Sequence, residues 1–590
     1  ADWWGGYQGL TPQQAQAAAN VELFEGTNIV KSRSVVAPWV FTSGDLSTGK
    51  TDSYMYALGG KWELSEKLSL KSEVVYQDSE YSGDFFAMRF IRPGNNYKLN
   101  VDFNSGGGIP AFGFEDNPAT ANMDESNMAD PSAYIIDGLY DNANKDTGDA
   151  FTYTADFSYA AEGFFTKIDA GVRVDQRGAE TAFSRQDACC GGGVSVASID
   201  GLVHINKGFY DGEADVPTSW VAANGYFIRD NADQVRGLYN LQKRQLNKSF
   251  EIDSLTTSFY VQGQFETEVA GRKLDGEIGV RYTGIDTDSK FYQETGPNVP
   301  QPMTKGNTKT DEFLPSLTLR YSLTDDLVTR FAYTQTLRYP SFGDLNPLIT
   351  YNEDVTNIGY GTANGGNPDL KPTESTNYDL SLEWYFADSS SLYGTLFQRD
   401  VDGFVIGFRR AVMHDKSATD PTPYKFILSQ PYNASNGQLK GAELGAVWFP
   451  ENLPGYLDGF GIQASYTMLS SSQSTPLTNE QGEVTGVEET DLFGVSDESY
   501  SVVLAYDNYD VGVRLSYSWR SAFLANYEAP LFANPLEMWR RPESSMDLQI
   551  SYKVSDNLEL TLDGTNLTEE IYQSYYGNNA TTNNFGSALY

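Results

Sequence analysis

The chain has 590 residues, with 79 acidic against 41 basic side chains and a net charge of −38, which disfavours a nucleic-acid partner because phosphates would be repelled. Its mean hydropathy is −0.43, and no run approaches the roughly 18 apolar residues that a membrane-spanning helix needs, so helical crossing of a membrane is excluded. Two cysteines and two histidines are too few for a Cys/His metal cluster or for Cys-His catalysis; no metal and no cofactor are expected.

From about residue 51 to about residue 565 the dominant pattern is alternation of apolar and polar residues over stretches of roughly ten. Phe151, Tyr153, Ala155, Phe157 and Tyr159 oppose Thr152, Thr154, Asp156 and Ser158, and a returning stretch sets Ile168, Ala170, Val172 and Val174 against Asp169, Arg173 and Asp175. Successive side chains leave a strand on opposite faces, so each stretch has one greasy and one wet side. Ile278, Val280 and Tyr282 face away from Glu277, Arg281 and Thr283; a one-residue slip would put Arg281 on the apolar side, at roughly 2–4 kcal/mol if that side is mid-bilayer. Tyr378, Leu380, Leu382, Trp384 and Phe386 alternate with Asp379, Ser381, Glu383 and Tyr385. Met546, Leu548, Ile550, Tyr552 and Val554 then do so with Asp547, Gln549, Ser551 and Lys553, before Leu558, Leu560 and Leu562.

The connections alternate in length. Ser65-Glu66-Lys67, Ala270 to Lys273, Thr324-Asp325-Asp326, Ala387 to Ser390 and Ser555 to Asn557 read as tight turns. Long loops are expected at about residues 83–149, 184–252, 286–308, 339–376, 406–436, 474–496 and 523–543, and short turns at one end with long loops at the other are the mark of an outer-membrane barrel. A soluble sandwich or propeller has the same alternation but no reason to segregate loop lengths, and no repeat of fixed length is present. The reading is an all-β transmembrane antiparallel barrel of roughly sixteen recognisable strands. Tyr54, Trp62, Tyr159, Trp384, Phe386, Trp448 and Tyr552 are placed in its aromatic girdles.

The segments FLPSLTLRYSLTDDLVTRFAYTQTLRYPSFGDLNP from Phe313, GNPDLKPTESTNYDLSLEWYF from Gly366 and LELTLDGTNLTEEIY from Leu558 resemble the barrel signatures of TonB-dependent receptors. In that family a segment like Asn367 to Glu374 leads from an extracellular loop into a strand, and one like Asn566-Leu567-Thr568 lies near the penultimate strand. GGKWELSEKLSLKSEVVYQDSEYSGDFFAMRF from Gly59 is similar to large proteobacterial members associated with glycan uptake. The resemblance implies a barrel of about 22 strands around a plug, active uptake of a scarce nutrient, energy from the TonB-ExbB-ExbD complex, and a surround of outer-membrane lipid and lipopolysaccharide. It implies no catalysis. Neither a plug nor a TonB box is recognisable, so residues 1–590 read as the barrel without its plug, its first strands and its last strand. An oligosaccharide or glycan is the expected ligand; a siderophore-iron receptor, a passive sugar porin and an adhesin or bacteriophage attachment surface are the alternatives.

Ligand contacts are expected from loop and upper-lumen aromatics, whose faces stack on sugar rings while acidic or amide groups bond hydroxyls. Trp3, Trp4, Tyr7, Trp220, Tyr226, Phe227, Trp539 and Arg540 are the candidates, each also readable as ordinary loop packing. Asp141 to Asp149 has oxygen groups near calcium-loop spacing but lacks the closing Glu, and reads better as a solvated loop entering the strand at Phe151. Cys189 and Cys190 fall in a loop that would face an oxidising exterior. Either they stay reduced or they form a vicinal disulfide, a strained ring because adjacent Cα atoms are only about 3.8 Å apart. Intact mass before and after reduction separates the two: a rise of two hydrogens shows the ring, and an unchanged mass removes it.

Overall fold

A computed structural model describes residues 2–4, 20–26, 30–36, 39–94, 97–104, 109–120, 124–189, 192–212, 214–293, 300–352, 360–417, 420–433, 436–451, 453–478, 484–528, 536–576 and 584–589. Among these residues, sixteen strands form one antiparallel meander. They are β1 (Trp39–Glu63), β2 (Leu68–Arg92), β3 (Ile135–Ala160), β4 (Phe165–Ser184), β5 (Asn247–Val269), β6 (Arg272–Tyr292), β7 (Met303–Ser322) and β8 (Leu327–Arg338). Next come β9 (Thr373–Ala387), β10 (Ser390–Asp402), β11 (Gly437–Trp448), β12 (Phe460–Thr478), β13 (Glu498–Asn508), β14 (Val511–Arg520), β15 (Glu543–Ser555) and β16 (Leu558–Gly564). Each pairs with the next along the chain.

Exposure along the strands is inverted relative to a water-soluble sheet. Leu380, Leu382 and Trp384 are each 48% exposed, while Asp379, Ser381 and Glu383 on the opposite face are half-buried. Phe157, Tyr159, Ile278, Leu396, Leu504, Leu560 and Leu562 are likewise exposed. Apolar side chains stand on this outer face because hydrocarbon covers it, and the polar row turns inward to a hydrated lumen. Trp62, Tyr159, Trp384, Phe386, Trp448 and Tyr552 lie beside the short turns, and Tyr54, Tyr56, Tyr76 and Phe151 stand further up the outer face; all are exposed, as girdle residues at the two lipid boundaries must be.

The tight turns expected at 65–67, 270–273, 324–326, 387–390 and 555–557 each join paired strands, and Tyr509-Asp510 makes a further one. Ala270 and Gly271 have φ of 52° and 74°, and Tyr509 and Asp510 have 53° and 63°. Paired left-handed residues make type I′ turns, whose twist matches that of the strands they join. Asn566, with φ 47°, opens the turn after β16, its N–H donating to Asp547 Oδ1 at 2.8 Å and its own Oδ1 accepting from Glu570 N–H at 3.0 Å. The segment from Asn367 folds as a turn and enters β9 at Thr373.

The long connections differ from expectation, because alternation weakens above the membrane while the strands continue. β1 and β2 are 25 residues each and β3 is 26, about 80 Å of chain at strand rise. Residues 83–92 and 135–149, expected in a loop, are therefore strand, and Asp141 to Asp149 belongs to β3 rather than to a solvated or calcium-binding loop. The remaining loops fold as well. Val21–Leu23, Val30–Val36, Lys98–Asp102 and Ala111–Glu115 form a four-stranded sheet, and Ile349–Asn352, Gly361–Gly365, Asp420–Asn433 and Val405–Ser417 form another. Phe523–Glu528, Leu536–Arg540, Ile571–Tyr576 and Asn584–Leu589 form a third. Two short helices, α1 (Gly225–Asp230) and α2 (Ala232–Leu238), lie between β4 and β5.

An arginine at Leu380, on the lipid face and about 10 Å inward of the girdle Trp384 at strand rise, is expected to cost roughly 2–4 kcal/mol, whereas one at the lumen-facing Ser381 costs far less. Heat-modifiable mobility of the membrane-inserted protein on gels measures this, and equal assembly of the two variants contradicts the assigned faces.

Candidate functional site

The vestibule wall above the membrane is built by the tops of β1 to β4. Because β1 exposes Tyr54, Tyr56, Leu58 and Trp62 outward and pairs with β2 without a register shift, its odd-numbered residues face the lumen. The same argument turns the odd residues of β2, the even residues of β3 and the odd residues of β4 inward. Two inward rows result: Gly49, Gly83, Asn144 and Phe183, and above it Ser47, Phe85 and Asn142.

Glycine at two adjacent positions leaves a side-chain-free patch, and Tyr81 lies across it. A Cβ at Gly49 would stand 3.1 Å from the Tyr81 hydroxyl and one at Gly83 2.8 Å from it. Tyr81 and Phe85 are 37% and 40% exposed, so both present a ring to the lumen. With Asn142, Asn144, Phe183 and Arg185 they line a cavity of about 500 Å³. Asn144 Nδ2 donates to Asp146 at 2.8 Å, Asn142 Oδ1 accepts from Gln186 N–H at 3.1 Å, and Arg185 is held by Asp187 at 2.6 Å. The arrangement offers flat aromatic faces, amide groups and a cation already compensated.

On the opposite face of the same strands sits a buried ionic clamp. The Asp141 carboxylate is fully buried and takes a bidentate contact from Arg236, at 2.7 and 3.1 Å, together with Arg244 and, at 3.1 Å, Gln186 Nε2. Arg244 also reaches Asp84, and Arg236 lies 5.4 Å over the Phe86 ring. Hydrogen bonding to Asp141 raises the Arg236 pKa, and burial lowers that of Arg244. Around the clamp Phe86, Met88, Phe90, Tyr134, Leu139, Ile228 and Val235 form an apolar core that seats α1 and α2 on the strands. Gly44 permits this approach, since a Cβ there would fall 1.9 Å from the Ala223 carbonyl oxygen. A neighbouring loop is fixed by Arg92, which donates to the Glu125 and Asp124 carbonyls at 2.9 and 3.2 Å and lies over the Tyr97 and Tyr134 rings. The Thr120 hydroxyl, then the Asn117 N–H, hold the Glu125 carboxyl down at about 2, while burial pushes the Tyr134 hydroxyl up to about 12.

Among the described residues, the structure does not gather those singled out from the sequence. Trp3 and Trp4 lie in a short strand paired with β1 at Val40 and Trp39, and Tyr7 lies outside the described residues. Trp220 meets Phe209 edge-on at 5.2 Å and packs on the core of the first loop sheet. Phe227 packs against the apolar core beneath α1, and Tyr226 is 65% exposed with Arg229 over its ring. Trp539 donates to Glu537 at 2.9 Å, and Trp539 and Arg540 occupy a strand of the third loop sheet. Cys189 is exposed and Cys190 lies outside the described residues. Phe85, Asn142 and Asn144 fall in residues 83–149, which the sequence alone assigns to a loop, and Tyr81 stands just before them at the end of the alternating stretch; Tyr81-Ser82-Gly83-Asp84-Phe85, two aromatics flanking a glycine at strand spacing, is the available signal.

A lipid-facing apolar wall, a polar lumen and an open, ligand-sized vestibule define an outer-membrane β-barrel receptor. Residues 84–567 match the family model described as TonB dependent receptor-like, beta-barrel, and the chain belongs to that family: it is a TonB-dependent receptor of the bacterial outer membrane. No curated protein matches it. Similar solved structures include the siderophore receptor PiuA from Acinetobacter baumannii, at 13% identity and TM-score 0.43, covering 92% of this chain and 78% of that one. The copper transporter OprC has 12% identity and TM-score 0.44, with 92% and 72% covered. The alcaligin outer-membrane receptor FauA from Bordetella pertussis has 13% identity and TM-score 0.38, with 91% and 73% covered.

Replacing Arg236 with leucine leaves Asp141 buried with one partner fewer, a loss of about 3–5 kcal/mol for a buried pair. Trypsin added to intact cells is expected to cut the 185–246 segment faster in this variant; unchanged cleavage shows that the clamp does not hold the segment.

Proposed function

We propose that this receptor imports a neutral, polyhydroxylated ligand, an oligosaccharide, with energy supplied by the TonB-ExbB-ExbD complex through the family's plug domain. The observation that carries the reading is Tyr81 laid over Gly49 and Gly83 beside Phe85. The C–H face of a pyranose ring stacks on such a platform, and the Asn142 and Asn144 amides match its hydroxyls. Arg185 is compensated by Asp187 and the chain carries a net charge of −38, which favours a neutral ligand over an anionic one. Similar solved structures include siderophore receptors and a copper transporter, so ferric siderophores and copper are the comparison ligands.

Uptake and equilibrium binding of neutral oligosaccharides by cells carrying the receptor, with and without a functional TonB, test this. Tyr81→Ala is expected to weaken binding several-fold, since one aromatic contact contributes about 1 kcal/mol, and Gly83→Val to do the same by displacing the ring. Ferric-siderophore uptake that both variants leave intact, with no oligosaccharide bound by the parent, rejects the proposal.

A further inference from the structure

Four aromatic rings climb the lumen wall of β10 to β12, each laid over a glycine. Leu396, Leu444 and Met468 are exposed on the lipid face, so the odd-numbered residues of β10, β11 and β12 turn inward. On β11 the inward glycines Gly437, Gly441 and Gly445 stand four residues apart. A Cβ at Gly437 would fall 2.5 Å from the Phe404 ring and one at Gly441 2.8 Å from the Phe397 ring, while one at Gly445 would overlap Tyr393. Gly461 on β12, opposite Phe449 in the continued register, lies under the Phe449 ring in the same way. At about 3.4 Å per residue and a tilt near 40°, the steps from position 437 to 441, 445 and 449 are about 10 Å each. Together they cover about 30 Å, slightly more than the apolar band of about 25 Å. Glycine lets each ring lie down on the backbone, which leaves the other face to the lumen; Tyr393 is 38% exposed, and Phe397, Phe404 and Phe449 are half-buried.

The rings have small hydroxyls for neighbours. The row of Tyr393 and Gly445 continues through Ser465, Ser501 and Ser518, and the row above it holds Thr395, Glu443, Thr467 and Ser499. Arg399 stands 5.4 Å over the Phe397 ring and is held by Asp379 at 2.6 Å. At the foot of the ladder Phe449 opens on a cavity of about 810 Å³ that Gln463, Arg514, Gln549 and Ser551 also line. The wall of β5 to β9 is built differently. Lys273 with Glu266 at 2.8 Å, Arg320 with Asp275 at 3.2 Å and Arg330 with Glu383 at 3.0 Å tie its strands together. Its inward Tyr260 and Tyr385 hydroxyls donate to Asp156 and Glu383, both at 2.8 Å.

We propose that Phe404, Phe397, Tyr393 and Phe449 form the track along which a neutral oligosaccharide crosses the lumen. This rests on the reading of the receptor as an oligosaccharide importer. The C–H face of a pyranose lies on each ring while its hydroxyls meet the serine, threonine and glutamine side chains alongside. Conduction needs sites favourable enough to enter and weak enough to leave, and a bare aromatic face over glycine provides such a site. Repetition at a fixed step lets an extended chain touch the next ring before it leaves the last, whereas a compact ligand touches one ring at a time.

The test uses whole cells carrying the intact receptor and a series of neutral linear oligosaccharides of increasing length. Surface binding is read without functional TonB and maximal uptake with it. Tyr393→Leu, Phe397→Leu and Phe449→Leu keep apolar volume over each glycine but remove the flat face. Each is expected to lower maximal uptake about threefold and the three together about tenfold, with binding unchanged and the loss larger for longer chains. Tyr393→Phe with Phe397→Tyr should keep the parent rate, and Phe397→Leu against Phe397→Tyr carries the comparison if the triple variant does not assemble. Unchanged uptake in the leucine variants, an equal loss in the aromatic exchanges, or binding lost in step with uptake overturns the track. So does entry of a large antibiotic that the parent excludes, which assigns the rings to holding a plug. A parent that imports no oligosaccharide removes the functional reading and the track together, whereas equal import by parent and leucine variants removes the track alone.

Discussion

Hydrocarbon offers no hydrogen-bonding partner to a peptide group, and the rest of this structure depends on that constraint. A chain without long apolar helices can satisfy its backbone in such a medium only by pairing strand to strand. Sixteen strands here pair in consecutive order, and the pairing fixes which side chains meet lipid. Register therefore carries the energy: Leu380, Leu382, Leu560 and Leu562 stay outward only because neighbouring strands hold them in phase.

Above the lipid boundary the same strands serve a different purpose. Freed from hydrocarbon, the outer face of β1 to β3 becomes a platform for a folded segment, with Phe86, Met88 and Leu139 packed beneath α1 and α2 and Asp141 neutralised by Arg236 and Arg244. Gln186 reaches both sides of this wall, donating its backbone N–H to Asn142 on the vestibule side and its side-chain amide to Asp141 in the clamp. The strands that carry Phe85 and Asn142 are thus backed by a buried ionic network, which meets the cavity lining at Asp84.

The wall from β4 to β7 shows how one strand set can present three chemistries in succession. Its outer face passes from aliphatic residues to aromatic rings to lysines and carboxylates, following the change from hydrocarbon to interface to headgroups. Its inner face carries hydroxyl pairs such as Ser254 with Thr287 at 3.0 Å and Ser258 with Thr283 at 3.1 Å.

The fold class, the outward and inward faces of the membrane band, the tight turns and the aromatic girdles were legible in the sequence, because each depends on alternation or on turn residues a few positions apart. Tyr378 to Phe386 and Ala270-Gly271 needed no knowledge of distant neighbours. Where hydrocarbon no longer enforces alternation, residues 83–92 and 135–149 lost their strand signal although they remain paired, and the vestibule they build went unseen. Tyr81 beside Gly49 and Arg236 on Asp141 join residues from different elements, so only the tertiary structure decided them.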